Sequence, residues 1–415
     1  MAYSAIFRLN AQGEVMKWHL AHTVICSDRR FTYEEVQDIF EQNGEASPED
    51  LAQPGNHPER VASPDGKPVG EFAEELITLN RLAKQIRRRR FSDGAIGFDR
   101  AEVRFEIDDT GRPISTYVKV TKDANKLVEE FMLLANRYVA ESVGRVPKGK
   151  KAKVLPYRIH DVPDPEKLER LQGFVAKFGY KVRTEGSKTE VSKSLNQLLA
   201  DVKGKKEENM VEMVALRAMM KARYSVHNIG HYGLMFPYYT HFTSPIRRYP
   251  DTMVHRLLTH YAEGGRSGNI NKYEELCEHS SQMEQLATAA ERASIKYKQV
   301  EFMSERIGQE FSGIISGVTE FGLYVEETES KCEGMVPLRT LLGDYYEFDE
   351  RNYCLVGRRT RKVYALGDKV TIRVERANLE KKQLDYALVE EDADDASLRK
   401  SNPVPKSFQR KKGRR

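Results

Sequence analysis

Apolar and polar residues alternate at the start of the chain. YSAIFRLN and EVMKWHLAHTVIC flank Ala11-Gln12-Gly13 and predict a β-hairpin. AEVRFEID and RPISTYVKV, joined through Asp109-Thr110-Gly111, predict a second. Between the hairpins the period lengthens to that of a helix. Thr32 and Glu35 have the spacing of a capping box over TYEEVQDIF. Phe72, Leu76, Leu79, Ala83 and Ile86 form one apolar stripe on a longer helix. After the second hairpin the pattern is mainly helical. Leu127, Phe131, Leu134 and Tyr138 make a stripe that Gly144 closes. Asp164-Pro165-Glu166 reads as an N-cap with proline in the first turn, followed by Leu168, Leu171, Val175 and Phe178 on one face. Further helices are predicted near 192–203, 208–224, 248–263 and 271–306.

The pattern changes near Gly308. EFSGIISGV, FGLYVEE, EGMVPL, KVTIRVERAN and QLDYAL are five short strands in quick succession, which predicts a small closed barrel of the OB type. The expected organisation is an α+β body over 1–306, a barrel over 307–391 and a basic, disordered tail over 392–415.

Composition narrows the class. Of 415 residues 40% are hydrophobic and 31% charged, as in a soluble globular protein. No apolar run reaches the roughly 18 residues a membrane span needs. MAYSAIFRLN lacks the charged region and apolar core of a signal peptide. Cys26, Cys277, Cys332 and Cys354 form no CxxC pair, which argues against a zinc site and fits thiols in a reducing cytoplasm.

The net charge of +5 is unevenly spread. Arg87 to Arg90 form one cluster; Lys148, Lys150, Lys151 and Lys153 form another; SLRKSNPVPKSFQRKKGRR is a third. Each alone reads as a solvated face or tail. Together they point to a polyphosphate partner such as a nucleic acid.

The stretch HFTSPIRRYPDTMVHR, residues 241–256, places two arginines just ahead of a helix. Pro250 suits a helix's first turn, and Asp251 complements its dipole. Arg247 and Arg248 have the wrong sign for that position unless an anion joins them. A helix N-terminus with guanidinium groups is a good phosphate seat. The plainer alternative pairs one arginine with Asp251 and leaves the other in water.

HFTSPIRRYPD resembles the signature of the RNB-type exoribonucleases, the group of ribonuclease II and ribonuclease R, with the Arg-Tyr-Pro-Asp form closer to the latter. FRLNAQGEV, TVICSDRRFTYEEVQ, GFDRAEVRFEID, KLVEEFMLLANRYVA and PYRIHD agree with that family in order, over nearly the whole chain. The resemblance implies a truncated RNB catalytic domain followed by an S1-type OB-fold barrel. It implies a processive, Mg²⁺-dependent 3′-to-5′ exoribonuclease of the cytoplasm, degrading single-stranded and structured RNA to nucleoside monophosphates. By matching motifs, Arg247 contacts the phosphate near the scissile bond, with Arg248 beside it on the RNA. Phe98 in GFDRAE stacks on bases, and Glu129 in LVEE and Glu291 in AAERAS line the RNA channel. In the barrel, Phe321 and Tyr324 match stacking positions, and Lys369, Arg373 and Arg376 offer phosphate contacts. Phe321 reads equally well as barrel core. Without the resemblance, Phe98 reads as a core aromatic and Glu129 as a surface carboxylate.

One family feature is missing. The metal-holding aspartates, of the form DxxxxxDxDD, have no counterpart. Asp108-Asp109 sits in a hairpin turn, Asp161 and Asp164 flank a proline, and Asp392, Asp394 and Asp395 follow the barrel. The expectation is therefore a fragment with no metal ligands of its own, inactive alone, monomeric and clear of membranes. It would have exposed strand edges at its start and a separately encoded amino-terminal half as a possible partner. A non-catalytic single-stranded RNA-binding protein, or an inactive truncation product, is the alternative.

Overall fold

A computed structural model describes residues 1–53, 57–61, 67–97, 102–205, 207–349 and 354–389. Strands β1 (Ala2–Leu9) and β2 (Val15–Thr23) form the first antiparallel hairpin, turning at Gly13 with φ 74°. Helix α1 (Tyr33–Gln42) begins with the expected capping box: the Glu35 N–H donates to Thr32 Oγ1 at 3.2 Å, and the Thr32 N–H donates to Glu35 Oε2 at 2.7 Å. A short α2 (Pro48–Leu51) and the long α3 (Ala73–Ser92) follow. The second hairpin is β3 (Glu102–Ile107) and β4 (Pro113–Lys119), its turn tied by the Asp108 carboxylate to the N–H groups of Thr110 and Arg112. That carboxylate is a turn anchor.

The buried face of α3 differs from the expected stripe. Ala73, Ile77, Asn80, Ala83 and Arg90 point inward, while Phe72 is a partly exposed N-cap residue in the left-handed region and Leu79 is exposed. Two inward residues are polar because each has a distant partner. Asn80 Nδ2 donates to the Glu45 carbonyl at 3.4 Å, and Arg90 pairs with Glu130. Helix α4 (Asp123–Gly144) is central and buried on several sides. Gly144 is its last residue for a packing reason: a Cβ there would lie 2.6 Å from the Tyr157 hydroxyl and 2.7 Å from the Tyr238 ring.

Helix α5 (Pro165–Val175) starts at Asp164, whose carboxylate accepts the N–H groups of Glu166 and Lys167. Helices α6 (Lys188–Val202) and α7 (Glu208–Ala218) pack with it. The predicted helix through 224 stops at 218, because Arg223–Ser225 form a strand, β6, that pairs with β5 (Tyr157–Ile159). Helices α8 (Tyr249–Ala262) and α9 (Ile270–Ser304) complete the body. Val139, Ala140, Leu155, Tyr157, Ile159, Phe242, Val254 and Leu258 form the core beneath the arginine loop, with Tyr3, Ala5 and Leu20 of the first hairpin against it.

The five predicted late segments are the strands of one closed barrel: β7 (Glu310–Thr319), β8 (Gly322–Glu327), β9 (Glu333–Pro337), β13 (Lys369–Asn378) and β14 (Gln383–Leu388), in the order β7-β8-β9-β14-β13. The β9–β14 pair is parallel and the others antiparallel. Between β9 and β13 lies an unforeseen three-stranded sheet, β10 (Tyr346–Asp349), β11 (Cys354–Gly357) and β12 (Val363–Ala365). Its Tyr346, Leu355 and Tyr364 join a core cluster shared by the barrel and helices α5 to α7. The tail at 392–415 lies outside the described residues.

Candidate nucleic-acid interface

The loop before α8 is anchored from several directions. Asn136 Oδ1 on α4 accepts the N–H groups of Phe242 at 2.9 Å and Thr243 at 3.2 Å. Asp251 Oδ1 accepts the Ser244 N–H at 2.7 Å. Thr252 Oγ1 donates to the Pro245 carbonyl at 3.1 Å, and His255 Nε2 lies 2.8 Å from the Phe242 carbonyl. The buried Asp251 also takes Arg248 in a fork, Nε to Oδ2 at 2.9 Å and Nη2 to Oδ1 at 2.8 Å. Arg248 is thus held by a carboxylate of its own helix, as the plainer reading allowed, and acts as a brace.

Arg247 has no such tie. Its side chain is exposed and, among the described residues, has no ion-pair or hydrogen-bond partner. Ile246 beside it is fully exposed and Tyr249 half so. The loop therefore presents one unpaired guanidinium on a fixed backbone at the mouth of α8, a geometry suited to an anion.

Beneath the loop is a layer of buried rings. The Tyr224 hydroxyl and His241 Nδ1 share a 2.8 Å hydrogen bond. Burial, with the Arg248 and Arg158 charges nearby, pushes the His241 imidazole down to about 2. Burial and the neighbouring His160 push His231 down to about 3. Both rings are neutral at ordinary pH. Arg158 lies over the Tyr224 ring and pairs with Glu284 of α9 at 2.6 Å.

Glu129 does not stand free. It lies 3.6 Å from Arg87 and 3.5 Å from Arg90, and is about half exposed. Its neighbour Glu130 is buried and receives Arg90 through both Nε and Nη2, and Arg87 at 3.3 Å. The arginine run on α3 is therefore partly committed to internal ion pairs; Arg89 reaches the Gln12 carbonyl at 3.0 Å. Sequence reasoning named Glu129 and passed over Glu130, although the two stand side by side in LVEE. Lys153 is likewise engaged, donating to the Gly265 carbonyl at 2.9 Å over the Tyr261 ring.

A cleft of about 500 Å³ opens between the first hairpin, α3, α4 and residues 234–237. Arg89, Arg90, Glu130, Arg137, Tyr138, Lys193 and Phe236 are among its lining residues; Arg89 and Arg90 belong to the basic run noted in the sequence, whereas Arg247, Arg248 and Glu129 are not among them. Glu291 lies on the bare middle of α9, where 285–292 are all exposed. Phe98 falls outside the described residues.

In the barrel Phe321 points outward, 70% exposed, and Tyr324 is partly exposed. Gly322 between them has φ 150°, and a Cβ there would fall 2.1 Å from the Val336 carbonyl, so close strand approach requires the glycine. Strand register sets Lys369 against Ile314, Ile314 against Glu326, and Arg373 against Glu310. Tyr324, Lys369 and Arg373 thus share one outer face. Arg373 is balanced by Glu375 at 2.9 Å and Glu310 at 4.0 Å, whereas Lys369 is exposed.

The Mg²⁺ that the resemblance implies would need carboxylate ligands. Among the described residues no group of three or more His, Cys, Asp or Glu side chains could hold a metal ion, so these residues do not fit a resident Mg²⁺. Among the described residues no helix is long and apolar enough to cross a membrane.

Comparison with known proteins agrees with the fold. Residues 1–264 match the RNB domain. Ribonuclease R 1 of Lactococcus lactis is 34% identical over 402 residues, 95% of this chain and 46% of that protein. Ribonuclease R of Aquifex aeolicus is 35% identical over 394 residues, 94% of this chain and 52% of that protein. The chain spans about half the length of the curated relatives it matches. Among solved structures, Mycoplasma genitalium RNase R in complex with ribose methylated single-stranded RNA superposes with a TM-score of 0.77 at 24% identity, over 93% of this chain and 57% of that one. That likeness establishes the fold, and the domain match the family: the chain belongs to the RNB family.

Proposed function

We propose that the chain works in a 3′-to-5′ exoribonuclease of the ribonuclease R type, acting on single-stranded RNA in the cytoplasm and releasing nucleoside monophosphates. The observation that carries this is the unpaired Arg247 guanidinium on a loop fixed by Asn136 and Asp251. A guanidinium already in place can neutralise charge that builds on a phosphate during hydrolysis, without reorganising. The Arg248–Asp251 fork holds the backbone so that Arg247 keeps its position. Phe98, by its motif, stacks on the bases of the 3′ end. Glu129 and Glu291 border the RNA path, with Glu129 tethered to α3.

The five-stranded barrel supports an S1-type OB-fold reading of residues 307–391. What supports it is the closure of five short strands into one barrel, in the order β7-β8-β9-β14-β13. Phe321 and Tyr324 then stack on bases, while Lys369 and Arg373 meet phosphates. Mg²⁺ supplies charge neutralisation in such enzymes. Its carboxylates would come from a polypeptide segment beyond the described residues.

The test is to incubate the chain with a 3′-tailed RNA and Mg²⁺, alone and with an added segment carrying the aspartate cluster. Mononucleotide release on addition supports the reading; none under either condition, with both parts folded, removes it. A second reading, a single-stranded RNA binder without chemistry, is favoured by the lack of a metal-holding group among the described residues. It predicts RNA binding with no product in either condition.

A further inference from the structure

The sheet inserted between β9 and β13 carries an outward turn, Gly357–Lys362, of sequence GRRTRK. Arg358, Arg359, Arg361 and Lys362 are all exposed on it. The turn is pinned to the segment that precedes β10 by one carboxylate. Asp344 accepts the N–H groups of Tyr345 at 2.7 Å, Arg359 at 2.8 Å and Thr360 at 2.5 Å, and the Thr360 hydroxyl at 2.7 Å. These donors hold the Asp344 carboxyl well below the usual range. Two backbone hydrogen bonds, Arg358 N to Tyr345 O and Gly357 N to Lys362 O, complete the staple. Arg359 adds a bond from Nη2 to the Gly343 carbonyl at 2.9 Å.

The staple sets Tyr345, 74% exposed, and Leu342, 75% exposed, beside the arginines. The Arg358 guanidinium lies 5.7 Å from the Tyr345 ring centre and pairs with Glu347. The opposite side of the sheet is buried through Tyr346, Leu355 and Tyr364, so the patch stands on a firm base. It also continues from the barrel face. The Leu338 N–H donates to the Phe321 carbonyl at 2.8 Å, and the exposed Arg339 follows on the way to Leu342.

Clustered arginines with an exposed ring on a pre-set turn have the chemistry of a single-stranded nucleic-acid platform. We propose that Tyr345, Arg359 and Arg361 form a second RNA-binding surface, which takes bases and phosphates of a strand running past Phe321. This rests on the single-stranded RNA reading above, and adds to it a surface outside the barrel strands.

The experiment measures binding of a fluorescein-labelled oligoadenylate to the full chain across a salt series. Arg359→Ala/Arg361→Ala should weaken binding about tenfold and lower the slope of log Kd against log salt by about 1 to 2. Tyr345→Ala should weaken it about fivefold or more with the slope unchanged. Among the described residues the Arg361 side chain makes no internal hydrogen bond, so Arg361→Ala alone separates binding from folding. Wild-type binding with all variants equal to it would overturn the platform and leave the proposed function standing. No binding by the wild-type chain would overturn both.

Discussion

Arg248 meets Asp251 through two hydrogen bonds of 2.9 and 2.8 Å, three residues apart across the start of α8. The pair divides a double-arginine motif into a brace and a free charge. Asp251 is fully buried and also holds the Ser244 N–H, so Asp251→Ala removes three hydrogen bonds at once. It also leaves a largely buried guanidinium without its carboxylate. Unfolding free energy should fall by about 3 kcal/mol. Arg248→Lys, which keeps the charge and loses the fork, should cost less. Denaturant titration measures both; an Asp251→Ala protein as stable as wild type would contradict the brace.

Gly322→Ala tests the barrel. Its φ of 150° and the 2.1 Å approach of the Val336 carbonyl leave no room for a Cβ. We expect a loss of about 2 kcal/mol or more, read as an earlier thermal transition. Gly111→Ala is the comparison: it shares the positive φ but has nothing within 4 Å of a Cβ, so its loss should be smaller. Equal losses would mean that backbone conformation, and not the strand contact, sets the cost.

The buried histidines predict a pH dependence. Folded His231 and His241 titrate near 3 and near 2, against 6.5 for a free imidazole. Below pH 6.5 the unfolded chain takes up protons that the folded chain refuses, so stability present above that pH is lost as pH falls. Each ring should contribute roughly 1.4 kcal/mol per pH unit below about pH 6. Denaturation at pH 7 and pH 5 measures the loss. His241→Gln should reduce it, and an unchanged pH slope in that variant would refute the assignment.

Phe321→Ala and Tyr324→Ala address the barrel face. Stacking on single-stranded RNA contributes about 1–3 kcal/mol per base. Each variant should therefore weaken oligoadenylate binding at least about fivefold. Phe321 is exposed, so its removal should leave the melting transition in place. Full affinity in both variants would take the barrel strands out of the RNA path.

Local signals made much of this fold legible. The capping box of Thr32 and Glu35, the Asp164 N-cap, both hairpins and the five barrel strands each depend on residues a few positions apart. What stayed hidden depends on distant partners. Asn80 and Arg90 look solvent-facing until Glu45 and Glu130 arrive to satisfy them. The run Arg87 to Arg90 reads as a nucleic-acid footprint, yet α4 claims part of it. Strands of three residues, such as β5, β6 and β12, are too short to show a period. At the arginine pair, position i+3 of Asp251 made the fork with Arg248 foreseeable, and the choice between the two arginines needed the fold.

The most direct measurement compares RNA binding and hydrolysis by Arg247→Ala, in the chain supplied with a segment carrying the aspartate cluster. Mononucleotide release should fall at least about a hundredfold while Kd for a single-stranded RNA changes by less than about threefold. A variant that loses binding yet turns over each bound RNA at the wild-type rate would contradict the role of Arg247.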